Sequence, residues 1–214
     1  LVAIGSGIGG LSAAITAHDL GLKAIVLEKS DKVGGVTALS MGEVWVAGNH
    51  HAEAIGVEDS VDSGFRYLKR LSMDYGTDAA ILNKVVHARV ALKYFEDNIG
   101  LRMQPIRDCP DYYYARSNDA VPEGRMLECE PFKGSDLGEW AEKTRLSPSM
   151  PYGFTHHDMF KYGGTANIAK WDFNVMAERL TNDERCLGTG LAAYFVKGAL
   201  DRGIALHTDT SAEE

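Results

Sequence analysis

The chain opens on an apolar run, followed by a glycine-rich turn and a helix-forming segment. Residues 1–4 are apolar, and the turn spans 5–10. The segment 11–20 is rich in helix formers and ends at Gly21, a typical helix stop. A second apolar run, 23–28, closes on an acid. This pattern predicts a strand, a turn, a helix and a second, parallel strand.

The turn has the spacing G-x-G-x-x-G, which is informative only between a strand and a helix. In a dinucleotide site, Gly5 permits the tight turn, Gly7 lets the backbone approach a pyrophosphate, and Gly10 allows close helix–strand packing. The helix then points free N–H groups at the phosphates. Glu28 lies 18 positions after Gly10 and is expected to bind ribose hydroxyls. The predicted cofactor-binding residues of the turn are Gly5, Gly7, Ile8, Gly9 and Gly10.

A second stretch, 188–193, fits the looser spacing G-x-G-x-x-A. The residues before it, 182–185, are polar and cannot form a buried strand, so we interpret the stretch as a helix start. A helix is predicted over 188–202, with Gly203 as its stop. The apolar segment 204–207 is predicted to return to the parallel sheet.

A glycine pair after Glu28, at Gly34 and Gly35, suits another close backbone approach. Thr37 and Ser40 offer hydroxyls to polar cofactor atoms. The residues predicted to contact the cofactor in this part of the chain are Glu28, Lys29, Gly34, Gly35, Thr37, Ala38, Ser40 and Gly42.

The chain resembles the fumarate reductase/succinate dehydrogenase flavoprotein superfamily, and within it most closely the 3-ketosteroid Δ1-dehydrogenase branch. The segments that carry the resemblance are the glycine turn, 28–49, 110–113, 124–128, 131–132, 188–191 and 197–203. It implies an α/β fold, a Rossmann-type FAD-binding domain with a parallel sheet that is incomplete at its C-terminal end. It also implies noncovalent FAD, because Gly35 stands where relatives with covalent flavin have a histidine.

The resemblance further implies an FAD-dependent oxidoreductase that dehydrogenates a carbon–carbon bond beside a ketone of the 3-ketosteroid kind. A base removes the α-proton and the flavin accepts a hydride. Tyr112, the first tyrosine of the Pro-Asp-Tyr-Tyr segment, is then the candidate catalytic residue, as a proton relay. Without the resemblance, the run 112–114 is aromatic packing under a loop. Two alternatives stay open: a fumarate- or urocanate-type flavin reductase, and an FAD-binding fragment without activity of its own.

Two positions depart from the branch pattern. Met41 stands where the branch has glycine, so its backbone is less free to adopt a positive φ. Ala47 replaces a common proline.

The chain begins inside an apolar run and stops in a turn, so we expect part of a longer protein. The expected organisation is a partial FAD-binding domain over 1–214, with the dinucleotide unit at 1–35, a helical and loop insertion at about 50–185, and a return to the sheet at about 186–208. The resemblance places the substrate domain and the principal base outside this chain, which is expected to be inactive alone.

The remaining pattern predicts helices and a long irregular region. An amphipathic helix is expected over 60–73, and Thr77 is expected to cap another that ends at Gly100. The region 107–164 has little periodicity and is expected to be a loop that covers a site. The adjacent pairs His50–His51 and His156–His157 lack helical metal-ligand spacing. We interpret them as surface residues that bind no metal.

The composition of the chain disfavours several classes of binding partner. The net charge of −8 disfavours nucleic acid, and no apolar run reaches the about 20 residues of a membrane span. The three cysteines form no C-x-x-C pair, which disfavours structural zinc and a disulfide framework and suits a reducing, cytoplasmic setting. The expected partners are a small hydrophobic ketone, which the resemblance implies, and an external electron acceptor.

Overall fold

A parallel sheet of three short strands forms the base of the molecule. The computed structural model describes residues 1–149 and 153–213. The first elements are β1 (Val2–Ile4), α1 (Ile8–Asp19) and β2 (Ile25–Leu27), and the last strand is β8 (Ala205–His207). The strand order is β1-β2-β8, and both pairings are parallel. The predicted strand–turn–helix–strand unit, the α/β class and the final strand are therefore confirmed.

Two helices cover one face of this sheet. The second of them is α7 (Leu187–Asp201). Buried residues of α1 and α7 form one cluster with Ala3, Val26 and Leu206, one from each strand. Neighbouring side chains of a strand point to the opposite face. On β1 these are Val2 and Ile4, which are 55% and 71% exposed.

Three helices follow the dinucleotide unit: α2 (His50–Ala54), α3 (Val61–Ser72) and α4 (Asp78–Ile99). The predicted caps of α4 are confirmed. The Thr77 hydroxyl accepts the Ala80 amide at 3.3 Å, and Gly100 ends the helix with φ +66°. The sequence pattern predicts an inner face of Ile81, Val85, Ala88, Leu92 and Phe95 on α4; all of these are buried except Ala88, which is half-buried.

The apolar stripe that the sequence predicts on α3 is half-buried at Val61, Phe65, Leu68 and Leu71. The buried residues of the helix are Gly64 and Tyr67. The reason is a close approach between backbones. A Cβ at Gly64 would lie 2.2 Å from the Cβ of Ala47, so the helix turns its glycine face inward. Periodicity alone favoured the larger side chains.

The region 107–164 was expected to be a loop, and this is wrong in part. It contributes short strands and a helix. Its strand β5 (Met126–Cys129) is the middle strand of an antiparallel sheet in the order β3-β5-β4, with β3 (Val44–Trp45) and β4 (Met103–Pro105) outside the region. Its strand β6 (Phe132–Lys133) pairs with the later strand β7 (Glu184–Arg185). Its helix is α5 (His156–Lys161), and α6 (Phe173–Thr181) follows the region. All four residues of β5 are buried, so this strand has no alternating pattern in the sequence.

Within the described part of the chain, none of the helices is both long enough and apolar enough to span a membrane. Cys109, Cys129 and Cys186 are free and buried.

Candidate cofactor and active site

The glycine turn between β1 and α1 depends on the absence of side chains. Gly5 has φ +92°, a conformation that favours glycine. A Cβ at Gly10 would lie 1.9 Å from the carbonyl oxygen of Gly5, so no other residue fits this approach of helix to turn. The N-cap of α1 is Gly7, which offers no side-chain cap. The first turn of the helix therefore has capacity for an anionic group at its positive end.

Ser6 joins the three segments that the sequence assigns to the cofactor. Its hydroxyl donates to Glu28 Oε2 at 2.6 Å and accepts the Gly34 amide at 3.0 Å. A parallel link runs from the Ile8 amide to the Thr37 hydroxyl at 3.0 Å. The turn, the end of β2 and the second glycine pair thus form one surface.

Glu28 is buried at the end of β2. Its carboxylate accepts the Ser6 amide at 3.0 Å, and the amide and hydroxyl of Ser30 at 3.0 and 3.1 Å. Burial alone would raise the pKa of Glu28, but these hydrogen bonds outweigh it and hold the pKa below its ordinary value. The carboxylate is therefore charged. Lys29, next in the chain, is exposed.

The segment 37–42 lies against the start of α7. The Gly188 amide donates to the Ser40 carbonyl at 3.2 Å, and the Thr189 hydroxyl donates to the Ala38 carbonyl at 3.2 Å. A Cβ at Gly188 would lie 2.1 Å from the Thr37 carbonyl oxygen. The second glycine stretch is therefore a helix start, as expected, and its glycines permit this backbone contact.

The methionine at position 41 is accommodated without a positive φ. The positive φ, +70°, falls on Gly42, where a Cβ would lie 2.5 Å from the Gly188 amide nitrogen. The Met41 side chain packs on a buried cluster that includes Phe154 and Leu187. The expected restriction at Met41 therefore leaves the turn intact.

Tyr112 contacts the residue that follows the segment 37–42. Its hydroxyl donates to Glu43 Oε2 at 2.5 Å, and Glu43 directly follows Gly42. The Glu43 hydrogen bond raises the pKa of Tyr112 well above its ordinary value. The phenol is therefore a protonated donor at neutral pH. The tyrosine is 72% exposed, so the hydroxyl is accessible to a bound molecule.

Glu43 has a second partner, His156. Its Oε1 lies against Nδ1 of that ring. Burial would raise the pKa of Glu43, but His156 and Tyr112 together hold it below its ordinary value. Sequence reasoning missed Glu43, because a single acid beside a glycine carries no motif.

Interpreting His156 as a surface loop residue was wrong. His156 begins α5, where Thr155 and Asp158 form a capping box. The carboxylate of Glu128, fully buried on β5, accepts the amides of His156 and His157 at 2.5 and 2.8 Å. The helix start thus places the His156 ring against Glu43. The spacing Thr-x-x-Asp was the signal available in the sequence.

A buried arginine holds the loop that carries Tyr112. Arg125 is 1% exposed and bonds both carboxylate oxygens of Asp59, at 2.9 and 2.5 Å, and Asp111 at 2.8 Å. Asp111 also accepts the Trp45 indole N–H at 2.7 Å. These bonds bring together the two segments, 110–113 and 124–128, that carry the resemblance to the steroid branch. Asp111 precedes Tyr112, so the network fixes the start of its loop.

An apolar groove of about 400 Å³ opens beside the Tyr112 hydroxyl. Its lining residues are Glu43, Trp45, Tyr67, Leu68, Leu71, Lys84, Tyr112, Tyr113 and Met126. A larger cavity, of about 710 Å³, lies beside Glu53 and Asp59. Most of its lining side chains are polar, and it contains none of the predicted cofactor or catalytic residues.

Comparison with known families identifies the fold. A family model described as FAD binding domain matches residues 1–214. The chain belongs to the FAD binding domain family. The cofactor expected from the glycine turn and the second glycine pair, FAD, is confirmed.

The relatives agree with the expected branch. The chain is 28% identical over its whole length to 4-oxocyclohexanecarboxylate 2-dehydrogenase of Sinomonas cyclohexanicum, and covers 36% of that protein. It is 32% identical over 151 residues, 71% of the chain, to 3-oxosteroid 1-dehydrogenase of Comamonas testosteroni, and covers 26% of that protein.

A solved structure supports the same conclusion. It is the 3-ketosteroid delta1-dehydrogenase of Sterolibacterium denitrificans in complex with 1,4-androstadiene-3,17-dione. It matches with a TM-score of 0.79 and 28% identity, over 97% of this chain and 40% of that one. The resemblance to flavoproteins of the steroid dehydrogenase branch is confirmed. The chain spans between about a quarter and two fifths of the length of these three proteins.

The residues of this FAD binding domain fit a dinucleotide. The glycine turn leaves no room for a Cβ at Gly10, and α1 begins without a side-chain cap. We propose that Gly5, Gly7, Ile8, Gly9 and Gly10 hold the pyrophosphate and that Glu28 accepts the ribose hydroxyls. The remaining cofactor contacts are proposed at Lys29, Gly34, Gly35, Thr37, Ala38, Ser40 and Gly42.

We expect the substitution Glu28→Ala to weaken FAD binding about 10- to 100-fold. A charge-assisted hydrogen bond contributes about 1.5–3 kcal/mol, and both Ser6 and Ser30 also lose their acceptor. Titration of the apoprotein with FAD measures the change, and Asp31→Ala, which removes an exposed acid three positions along the chain, is the control. Unchanged affinity in folded Glu28→Ala would show that the carboxylate only fastens the turn to β2.

Proposed function

We propose that the complete protein is an FAD-dependent dehydrogenase that forms a carbon–carbon double bond beside the carbonyl of a hydrophobic cyclic ketone. The observation that carries the proposal is the hydrogen bond between Tyr112 and Glu43. It lies next to the proposed cofactor segment 37–42 and beside an apolar groove. Bound FAD supplies the hydride acceptor. The chain supplies orientation, exclusion of water and proton handling.

The proton steps use three side chains of this chain. In the proposed relay, Tyr112 Oη receives the proton that the principal base has removed from the carbon next to the carbonyl. As it does so, its own hydroxyl proton passes to Glu43 Oε2, 2.5 Å away, and the tyrosine ends neutral. His156 faces the other oxygen of Glu43 and stabilises the carboxylate before the transfer. We propose that the principal base and the groups that polarise the ketone belong to the part of the relatives that this chain does not cover. The 214 residues alone are then inactive.

The groove favours an apolar substrate, and Lys84 could also pair with a single anionic group on that substrate. Trp45, Tyr67 and Met126 offer hydrophobic walls, whereas Lys84 places an ammonium group 5.4 Å from the Trp45 ring centroid. A steroid ketone uses the apolar walls alone. A cyclic keto acid such as 4-oxocyclohexanecarboxylate also has a carboxylate that Lys84 can pair with.

A turnover assay of the complete protein with a dye as external electron acceptor tests the proposal. We expect desaturation of a 3-ketosteroid or of 4-oxocyclohexanecarboxylate. If the keto acid is the substrate, Lys84→Met raises KM for it without affecting FAD content, and Lys93→Met, exposed on the same helix, is the control. No oxidation of either ketone, together with reduction of fumarate or urocanate by the reduced protein, would overturn the proposal and support the reductase.

We propose that the FAD is bound noncovalently. Gly35 occupies the position of the histidine that carries covalent flavin in relatives, and His50 and His51 contact Glu96 on α4. Denaturation of the holoprotein should release yellow FAD into the filtrate. Flavin that stays with the precipitated chain would contradict this.

A further inference from the structure

Two adjacent histidines at the start of α2 converge on one carboxylate of α4. His50 Nε2 lies 2.9 Å from Glu96 Oε2, and His51 Nε2 lies 2.5 Å from Glu96 Oε1. The ring centroids are 4.2 Å apart. Neighbouring side chains of a helix usually point in different directions. These two do not, because both rings rotate toward Glu96.

The three side chains offer a ligand set that zinc prefers. Two imidazole nitrogens and a carboxylate bind Zn²⁺ at about 2.0–2.2 Å, with water in the fourth position. The potential ligand atoms all lie within 4.8 Å of one another, so small side-chain rotations bring them around one ion. The site is open to solvent, since the side chains of His50, His51 and Glu96 are 43%, 21% and 13% exposed. Water can therefore complete the coordination.

We propose that His50, His51 and Glu96 bind a divalent cation of the zinc type, which fastens α2 to α4. Without a metal, one carboxylate must accept hydrogen bonds from both rings. With a metal, each ring gives a lone pair and the carboxylate balances charge, so all three groups are satisfied at once.

The three proposed ligands include none of the proposed cofactor or catalytic residues, but they adjoin a segment that connects to them. Asn49 precedes the two histidines and caps α2 by accepting the Ala52 amide at 2.9 Å. The Asn49 side-chain amide donates to the carbonyls of Val46 and Gly124, at 2.7 and 2.9 Å. A metal at α2 therefore stabilises the connection between β3 and the loop before Arg125 without contacting Tyr112.

Calorimetric titration of the metal-free, FAD-loaded protein with ZnCl₂ tests the site. We expect one Zn²⁺ per chain at this site and a higher unfolding midpoint with zinc. His50→Ala, His51→Ala and Glu96→Gln should each weaken binding at least about 10-fold, the loss seen even for residues that only support a ligand. His87→Ala, on the exposed surface of the same helix α4, is the matched control and should bind zinc as the unmodified protein does. Co²⁺ in place of zinc should give a visible absorption band that the three ligand variants lose.

Zinc affinity and stoichiometry unchanged in all three ligand variants would overturn the proposal, as would an equal loss in His87→Ala. Circular dichroism and FAD content check that each variant is folded. If Glu96→Gln unfolds, His50→Gln and His51→Gln keep the test decisive, because they preserve size and hydrogen bonding while removing the imidazole. Turnover should be the same with and without zinc, so failure here is distinguishable from failure of the proposed dehydrogenase.

Discussion

Turnover of the complete protein should fall about 10²- to 10⁴-fold in Tyr112→Phe, the range that a positioned proton-transfer group contributes. The substitution removes one hydroxyl and barely changes volume. Glu43 then lacks its proton donor on Oε2, while its contact with His156 stays. FAD content and folding should persist, and kcat should fall more than KM changes. Steady-state kinetics with the accepted ketone measures both parameters.

Tyr113→Phe is the matched control. Tyr113 lines the same groove, but within the described residues its hydroxyl makes no hydrogen bond, whereas its backbone amide donates to the Tyr67 hydroxyl. Its turnover should stay near that of the unmodified protein. If both variants keep normal turnover, the tyrosine run is packing. Impairment of Tyr113→Phe alone would assign the relay to the other ring.

Arg125→Met should lower the free energy of unfolding by about 3–5 kcal/mol, the cost of leaving a buried charge without its partner. Asp59 and Asp111 are 1% and 0% exposed at their side chains, and both depend on this guanidinium. Asp111 also anchors Trp45, so the loop that carries Tyr112 should loosen. Chemical denaturation of the holoprotein measures the free energy.

Two further variants separate this buried network from ordinary surface pairing. Arg66→Met removes the exposed ion pair with Asp119 and should leave the unfolding midpoint nearly unchanged. Arg125→Lys keeps the charge but loses the planar pair of bonds to Asp59. Its free energy of unfolding should therefore lie between those of Arg66→Met and Arg125→Met. Arg125→Met as stable as Arg66→Met would show that the carboxylates find other partners.

Local rules were sufficient for the dinucleotide unit. The spacing of Gly5 and Gly10 follows from one turn and one helix–strand contact, and each is a short-range constraint. Thr77 and Gly100 likewise fixed the ends of α4, because caps act within one helical turn. The short strands β5 and β6 were missed because their residues are too few to show a period.

The proposed active-site residues are brought together by contacts between distant parts of the chain. Glu43 and Tyr112 are 69 positions apart, and Arg125 and Asp59 are 66 apart. No periodicity or spacing connects such residues, so the sequence alone indicated Tyr112 only through the family resemblance. The convergence of His50 and His51 on Glu96 was missed for the same reason, since it requires the packing of α2 on α4.

Anaerobic mixing of the oxidised complete protein with a candidate ketone distinguishes a dehydrogenase from a reductase in one measurement. We expect the yellow absorption of the flavin to bleach, and one new carbon–carbon double bond to form for each flavin reduced, with a 3-ketosteroid or with 4-oxocyclohexanecarboxylate. The same mixing with Tyr112→Phe should bleach slowly. Flavin that stays oxidised with both ketones, while chemically reduced protein is reoxidised by fumarate or urocanate, would rule out the proposed dehydrogenase and indicate a reductase.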